Sequence, residues 1–177
     1  CFSIDLRAGY HHVRLTEALA RMCGGKVWLT AVEFAALKEE GLVPEGVAWD
    51  EHKGGWLYVT AEVLTFGLSR SVPVFTKITR QMCRVWRKRG YRLGHLLDDF
   101  MFAAPTYEKA CAMRDQVVAD LERWGWFVNF EKSQLNPAQC VRWIGVVINT
   151  VTMCFHVPGD KVEKLEKNLK VFLEDPT

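Results

Sequence analysis

Two adjacent aspartates, Asp98 and Asp99, interrupt an apolar run between Leu96-Leu97 and Phe100-Met101-Phe102. One buried carboxylate without a partner is costly, and two neighbours also repel each other. Such a pair belongs either in a solvated turn or beside something positive. A third acid, Asp5, stands near the end of the β-rich run "CFSIDL" at 1–6. If the two strands are neighbours in an antiparallel sheet, three carboxylates converge on one sheet edge. Divalent cations make such a cluster favourable. Mg²⁺ takes oxygen ligands and keeps positions open for water and phosphate. Two such ions about 3.5–4 Å apart clamp the attacking and leaving oxygens of a phosphoryl transfer. By spacing alone, Asp-Asp is more often a solvated turn, and Asp5 says little.

The cationic side chains are unevenly spread. Net charge over the 177 residues is only +2, yet Arg70, Lys77, Arg80, Arg84, Arg87, Lys88, Arg89 and Arg92 fall in one stretch without an acid. Local clustering speaks to a polyanionic partner more than net charge does, although a stripe of this kind is also a common solvated helix face. Half of the residues are apolar and seven are tryptophan, enough to fill a core. No apolar run approaches the ~20 residues of a membrane span, and no signal-peptide pattern is read. The six cysteines form no C-x-x-C pair, which argues against a zinc site and fits reduced thiols inside the cell, in cytoplasm or nucleus. The chain opens at Cys1 within a strand-like run and reads as an excerpt of a longer protein.

The elements that must position these residues follow an α+β order. A strand at 1–6 leads into a turn at 8–15. Thr30 and Glu33 have capping-box spacing, so a short helix fits about 31–40, ended by Gly41. Residues 41–56 read as a loop and 56–64 as a strand. Pro73 suits the first turn of a helix; Phe75, Ile78, Met82 and Val85 recur at helical spacing up to Gly90, with Lys77, Arg80, Arg84 and Arg87 on another face. Asp98-Asp99 then stand at the tip of a hairpin between "YRLGHLL" and "FMFAA". A helix fits 107–124, capped near Thr106 and closed by Gly125. Strands are read at 126–130, 141–148 and 153–157, and an amphipathic helix at about 160–174.

Five stretches in order carry a resemblance: "FSIDLRAGYHHVRL", "LTFGLSRSVPVFTK", "HLLDDFMFAA", "LERWGWFVNFEKSQLNP" and "VRWIGVVINT". Together they closely resemble the successive core motifs of a reverse transcriptase, most strongly of LTR-type or DIRS-type retrotransposons. The resemblance covers the chain except about 16–63. It implies a right-hand polymerase architecture: an antiparallel palm sheet with flanking helices over 1–158, part of the fingers at about 13–70 with an insertion at about 25–55, and the first thumb helix at 159–177. It implies two Mg²⁺ ions, with Mn²⁺ as a substitute, held by Asp5, the Leu6 carbonyl, Asp98 and Asp99. Tyr10 matches a steric gate against the ribose 2′-OH; its plainer reading is a packed aromatic. Phe66 and Gly67 match the motif that packs on the incoming nucleotide, where glycine allows close approach. Lys132, in the strand after the second helix, matches a proton donor to leaving pyrophosphate; it reads equally as a solvated lysine. Trp143, Ile144 and Gly145 match the hairpin that grips the primer. The basic helix would meet the nucleic-acid backbone.

The implied reaction is RNA-directed DNA synthesis, with template, primer and deoxynucleoside triphosphates as partners. The upstream fingers, the remaining thumb and an RNase H region are not in the chain, so these residues alone are expected to be inactive. The sequence also departs from the pattern. Leu96 replaces a tyrosine, Thr65 a proline, and Arg70 and Val72 small residues. Two other readings stay open. One is a domesticated or decayed domain serving as a structural piece among protein partners. The other is a nucleic-acid-binding module that leaves its carboxylates idle.

Overall fold

The computed structural model describes residues 1–174. The chain divides into two units, one built from residues 1–12 and 68 onward, the other from Val13–Gly67. In the first unit, strands β1 (Phe2–Asp5), β5 (Asp99–Ala103) and β4 (Arg92–Leu96) form an antiparallel sheet in the order β1-β5-β4. Alternation along the strands decides its buried face. Phe2 pairs with Phe102 and Ile4 with Phe100, and all four are buried. Phe2 and Phe102 stack at 4.9 Å.

Helices α3 (Ser71–Lys88) and α4 (Tyr107–Arg123) belong to the same unit. The buried face of α3 is Phe75, Thr79, Met82, Cys83 and Trp86, not the expected Phe75, Ile78, Met82 and Val85. The stripe is rotated because Trp86 reaches the sheet, edge-on to Phe100 at 5.5 Å and to Phe102 at 5.3 Å. Burying a large side chain in this way contributes on the order of 1.5–3 kcal/mol. The Trp86 indole N–H in turn needs an acceptor, and finds Asp120 of α4 at 3.0 Å. Asp120 is 1 % exposed. It also accepts from Gln116 and Arg123, at 3.2 Å each, and from Arg89. Thr106 caps α4 by accepting from the Lys109 amide, and Gly125 follows in the left-handed conformation, as the sequence suggests.

The expected strand at 126–130 is absent. The chain from 126 to 134 runs along the edge of β1 and pairs there through isolated bridges, Leu6 with Val128 and Ser3 with Gln134, rather than a ladder. A turn between them, with the Ser133 amide on the Asn129 carbonyl at 2.9 Å, prevents a continuous ladder. The expected strand at 141–148 is a hairpin, β6 (Cys140–Trp143) and β7 (Val146–Asn149), turning at Ile144-Gly145; β8 (Cys154–His156) completes this second sheet. Helix α5 (Gly159–Glu174) follows. Residues 175–177 of the expected thumb segment lie outside the described residues.

In the second unit, α1 (Glu17–Met22), β2 (Gly24–Leu29), α2 (Ala31–Glu39) and β3 (Gly55–Thr60) succeed one another, and β2 and β3 form an antiparallel ribbon. The Thr30–Glu33 capping box is present, and Phe34 is buried against Trp49. Strand β2 lies where the sequence reads as insertion. Among the described residues no helix is long and apolar enough to cross a membrane.

Candidate active site

Asp5 ends β1 and Asp99 begins β5, and the two are direct partners across the ladder. The Asp5 amide donates to Ser133 Oγ at 3.0 Å, and the Leu6 amide to the Asp98 carbonyl at 3.1 Å. The β4–β5 turn is Leu97-Asp98, closed by the Leu96–Asp99 pair. The tip is therefore one residue earlier than expected. Leu97 takes the left-handed conformation there, with φ 54°.

Burial raises the carboxyl of Asp98 above its ordinary range, and the Asp5 charge adds to this. Asp99 is pushed up to about 6, first by burial, then by the charges of Asp5 and Asp98 and a hydrogen bond to Asp5. Lys132 pulls both carboxyls down without prevailing. Burial and the neighbouring carboxylates thus oppose ionisation of Asp99, a cost that a bound cation would offset. The donors are hard oxygens, the kind Mg²⁺ takes. In extended backbone the N–H and C=O of one residue point the same way, which puts the Leu6 carbonyl on the hairpin side. In kind the set fits a hard divalent cation. Among the described residues, however, no three acidic, histidine or cysteine side chains are gathered tightly enough to hold one. As they stand, the expected ligands are a directly paired Asp5 and Asp99 with Asp98 on the adjoining turn.

An open cleft of about 260 Å³ brings Asp5 and Asp99 together with Ser3, Lys132, Arg142 and Trp143. Lys132 lies in a turn rather than a strand, with its amide on Asn129 Oδ1 at 3.4 Å. Trp143 leans on β4. A Cβ at Gly94 would meet its Cη2 at 2.7 Å, so the absence of a side chain at position 94 makes room for the indole. Its Nε1 is buried without a hydrogen-bond partner. Gly145 has φ 79°, and its carbonyl accepts from Lys161 Nζ of α5 at 2.9 Å. Arg142 forms a two-pronged pair with Asp160 at 3.1 and 2.9 Å, a second tie between this hairpin and α5.

Tyr10 sits in a short 3₁₀ turn at Gly9–His12, 4 % exposed and stacked on Phe75 at 4.6 Å. Burial, and then the nearby Asp98 charge, raise its phenol. It stands beside the acids, but packed. A Cβ on Gly9 would meet Phe75 Cζ at 2.8 Å and Asp98 Cβ at 3.3 Å, so glycine is needed for that turn to lie against the hairpin. Phe66 and Gly67 belong to the other unit. Gly67 has φ 88° and open space around it, so its backbone conformation, rather than close approach, calls for glycine. Lys77, Arg80, Arg84 and Arg87 are exposed on the face of α3 opposite its buried stripe.

Sequence reasoning missed Ser133, which fixes the Asp5 amide; Arg142, which lines the cleft; and His95, which touches the acidic turn. A histidine inside an apolar strand was the one visible signal.

The sequence model of the family described as reverse transcriptase (RNA-dependent DNA polymerase) matches residues 1–148. No curated protein sequence matches the chain. A solved structure of the foamy viral protease-reverse transcriptase in complex with RNA/DNA hybrid is similar, with a TM-score of 0.67 at 16 % identity, covering 93 % of this chain and 18 % of that one. A second, in complex with dsDNA, gives 0.66 at 16 % identity, covering 98 % and 31 %. The chain thus spans less than a third of the length of either, and at these identities the likeness is one of fold. Fold and sequence model agree, and the chain belongs to the reverse transcriptase family.

Proposed function

We propose that the chain is the palm, part of the fingers and the first thumb helix of an RNA-directed DNA polymerase from a retrotransposon. The complete polymerase adds deoxynucleotides to a primer 3′-OH on an RNA or DNA template. The observation that carries the reading is the register pairing of Asp5 with Asp99 beside the Leu97-Asp98 turn. Nucleic-acid partners are supported by the foamy viral structures, which hold RNA/DNA hybrid and dsDNA.

Asp5, Asp98, Asp99 and the Leu6 carbonyl would hold Mg²⁺, or Mn²⁺ in its place, whose charge offsets that of the reacting phosphates. The chain's own residues do the rest. Burial of β1 and β5 on one face holds the carboxylates on a rigid edge. Lys132, in the same cleft, keeps a proton for the departing pyrophosphate. Trp143 and the Ile144-Gly145 turn seat the primer end, and the exposed cations of α3 follow the phosphate backbone. Tyr10 excludes a ribose 2′-OH by bulk beside Asp98.

Primer extension by the complete polypeptide that carries these residues tests the reading. Template-directed addition in the presence of Mg²⁺ is expected. A folded polypeptide that extends no primer, on RNA or on DNA, would leave the structural-piece reading standing instead.

A further inference from the structure

We infer that His95 is a positioning residue for the acidic turn: its Nε2–H braces Leu97-Asp98 against helix α3 through Thr79. What the turn does rests on the polymerase reading; the brace is read from geometry. His95 Nε2 lies 2.8 Å from Thr79 Oγ1 and 3.0 Å from the Leu97 carbonyl. A carbonyl only accepts, so Nε2 carries the hydrogen. Thr79 is buried on α3, and its hydroxyl has the Phe75 and Thr76 carbonyls at 3.2 and 3.3 Å as acceptors. With its hydrogen directed there, its oxygen receives the one from His95. A single N–H is thus shared between helix and turn, and every hydrogen has a direction. Phe100 lies beside the imidazole, ring centroids 5.0 Å apart.

The turn needs holding from outside. Two-residue hairpin loops favour Asn-Gly or Asp-Gly, and this one is Leu-Asp. Leu97, at φ 54°, occupies a region that side chains other than Asn, Asp and Gly seldom enter. Backbone of this kind persists where its surroundings over-determine it. Here they do so with one side chain from β4 and one from α3. Burial, together with the charges of Arg87 and Arg80, keeps the imidazole below its ordinary range despite the Leu97 carbonyl, so the neutral ring donates. Shifting the turn would carry Asp98 and Asp99 with it, and a misplacement of about 1 Å costs on the order of 100-fold in rate.

The test uses the complete polypeptide. His95→Phe keeps a ring and removes the donor, whereas His95→Gln restores an N–H. Thr79→Val removes the hydroxyl and Thr79→Ser keeps it. Two quantities are read: primer-extension kcat and KM, and amide hydrogen exchange across residues 93–103 by mass spectrometry. His95→Phe is expected to lower kcat on the order of 100-fold with nucleotide KM little changed, and to speed exchange at the turn. His95→Gln is expected to recover most of both. Adding Thr79→Val to His95→Phe should change exchange little further, since residues of one network do not add. Equal exchange in the Phe and Gln variants would mean that something other than the N–H holds the turn, and would overturn the inference. If His95→Phe does not fold, the Thr79 pair decides: faster exchange in Val than in Ser supports the brace, and equal exchange overturns it. If exchange responds as expected while the wild type extends no primer, the brace stands and the polymerase reading falls.

Discussion

Gly94→Ala is a one-carbon change whose effect can be worked from the structure. The new Cβ would stand 2.7 Å from Trp143 Cη2, 3.2 Å from Cζ3 and 3.3 Å from Cζ2. Carbon atoms settle at about 3.5–4.0 Å, so the closest contact is roughly 0.8–1.3 Å short. The indole cannot easily yield. It is carried by β6, which is paired with β7 and tied through Arg142 to α5. Overpacking of this kind costs about 1–3 kcal/mol. For a chain of this size each kcal/mol lowers Tm by about 2–4 °C. Trp143→Phe removes the outer ring of the indole, and with it the atoms that clash. It also removes an Nε1 donor that is buried without a partner, which offsets part of the packing it gives up. The double variant Gly94→Ala/Trp143→Phe should therefore be more stable than the two single effects sum to, by about 0.5–3 kcal/mol. Thermal and urea unfolding of the wild type, both singles and the double measure this coupling. Additivity within about 0.5 kcal/mol would refute the proximity of the two side chains.

Two further outcomes concern charge. Asp120→Asn should destabilise the fold by about 1.5–3 kcal/mol at neutral pH, the range for hydrogen bonds to a charged group. Burial works against ionisation of Asp120, but Arg89 and Trp86 outweigh it and hold the carboxyl below its ordinary range. A depressed folded value gives stability that is present above the unfolded value, near pH 4, and is lost as pH falls through the folded one. The gap between wild type and variant in urea unfolding should thus close below about pH 4, and a gap constant down to pH 2 would contradict this. Replacing Arg80, Arg84 and Arg87 together with glutamine should weaken primer–template binding and flatten its salt dependence, by roughly 0.7–0.9 in slope for each phosphate no longer neutralised; an unchanged slope would place them on a solvated face.

What the sequence revealed was local. The Thr30–Glu33 capping box, the Thr106 cap and Gly125 could be read directly, because each depends on neighbours within a few residues. Convergence of Asp5 with Asp98 and Asp99 could be read only on condition that their strands are neighbours, and the ladder meets that condition by pairing Asp5 with Asp99. What it concealed was decided by distant partners. Trp86 turned the buried face of α3 towards Phe100 and Phe102, and its indole N–H finds its acceptor, Asp120, 34 residues away. Phe127 and Val128 have strand-forming side chains, yet the intervening turn at Asn129 denies them a ladder. The Gly24-Gly25 pair hid strand β2, whose partner lies across the whole of α2. Pairing Leu96 with Asp99 moved the turn back to Leu97-Asp98, a poor turn pair on local chemistry, and the His95–Thr79 hydrogen bond that holds it links strand and helix 16 residues apart.

The carboxylates carry the account, and Asp98→Asn tests them most directly. In the complete polypeptide, with Mg²⁺, primer–template and deoxynucleotides, single-turnover extension is predicted to be lost. Stability should hold or rise, because burial and the Asp5 charge already oppose ionisation of Asp98. A well-folded Asp98→Asn variant that extends primers at close to the wild-type rate would contradict the assignment of this turn to the chemistry.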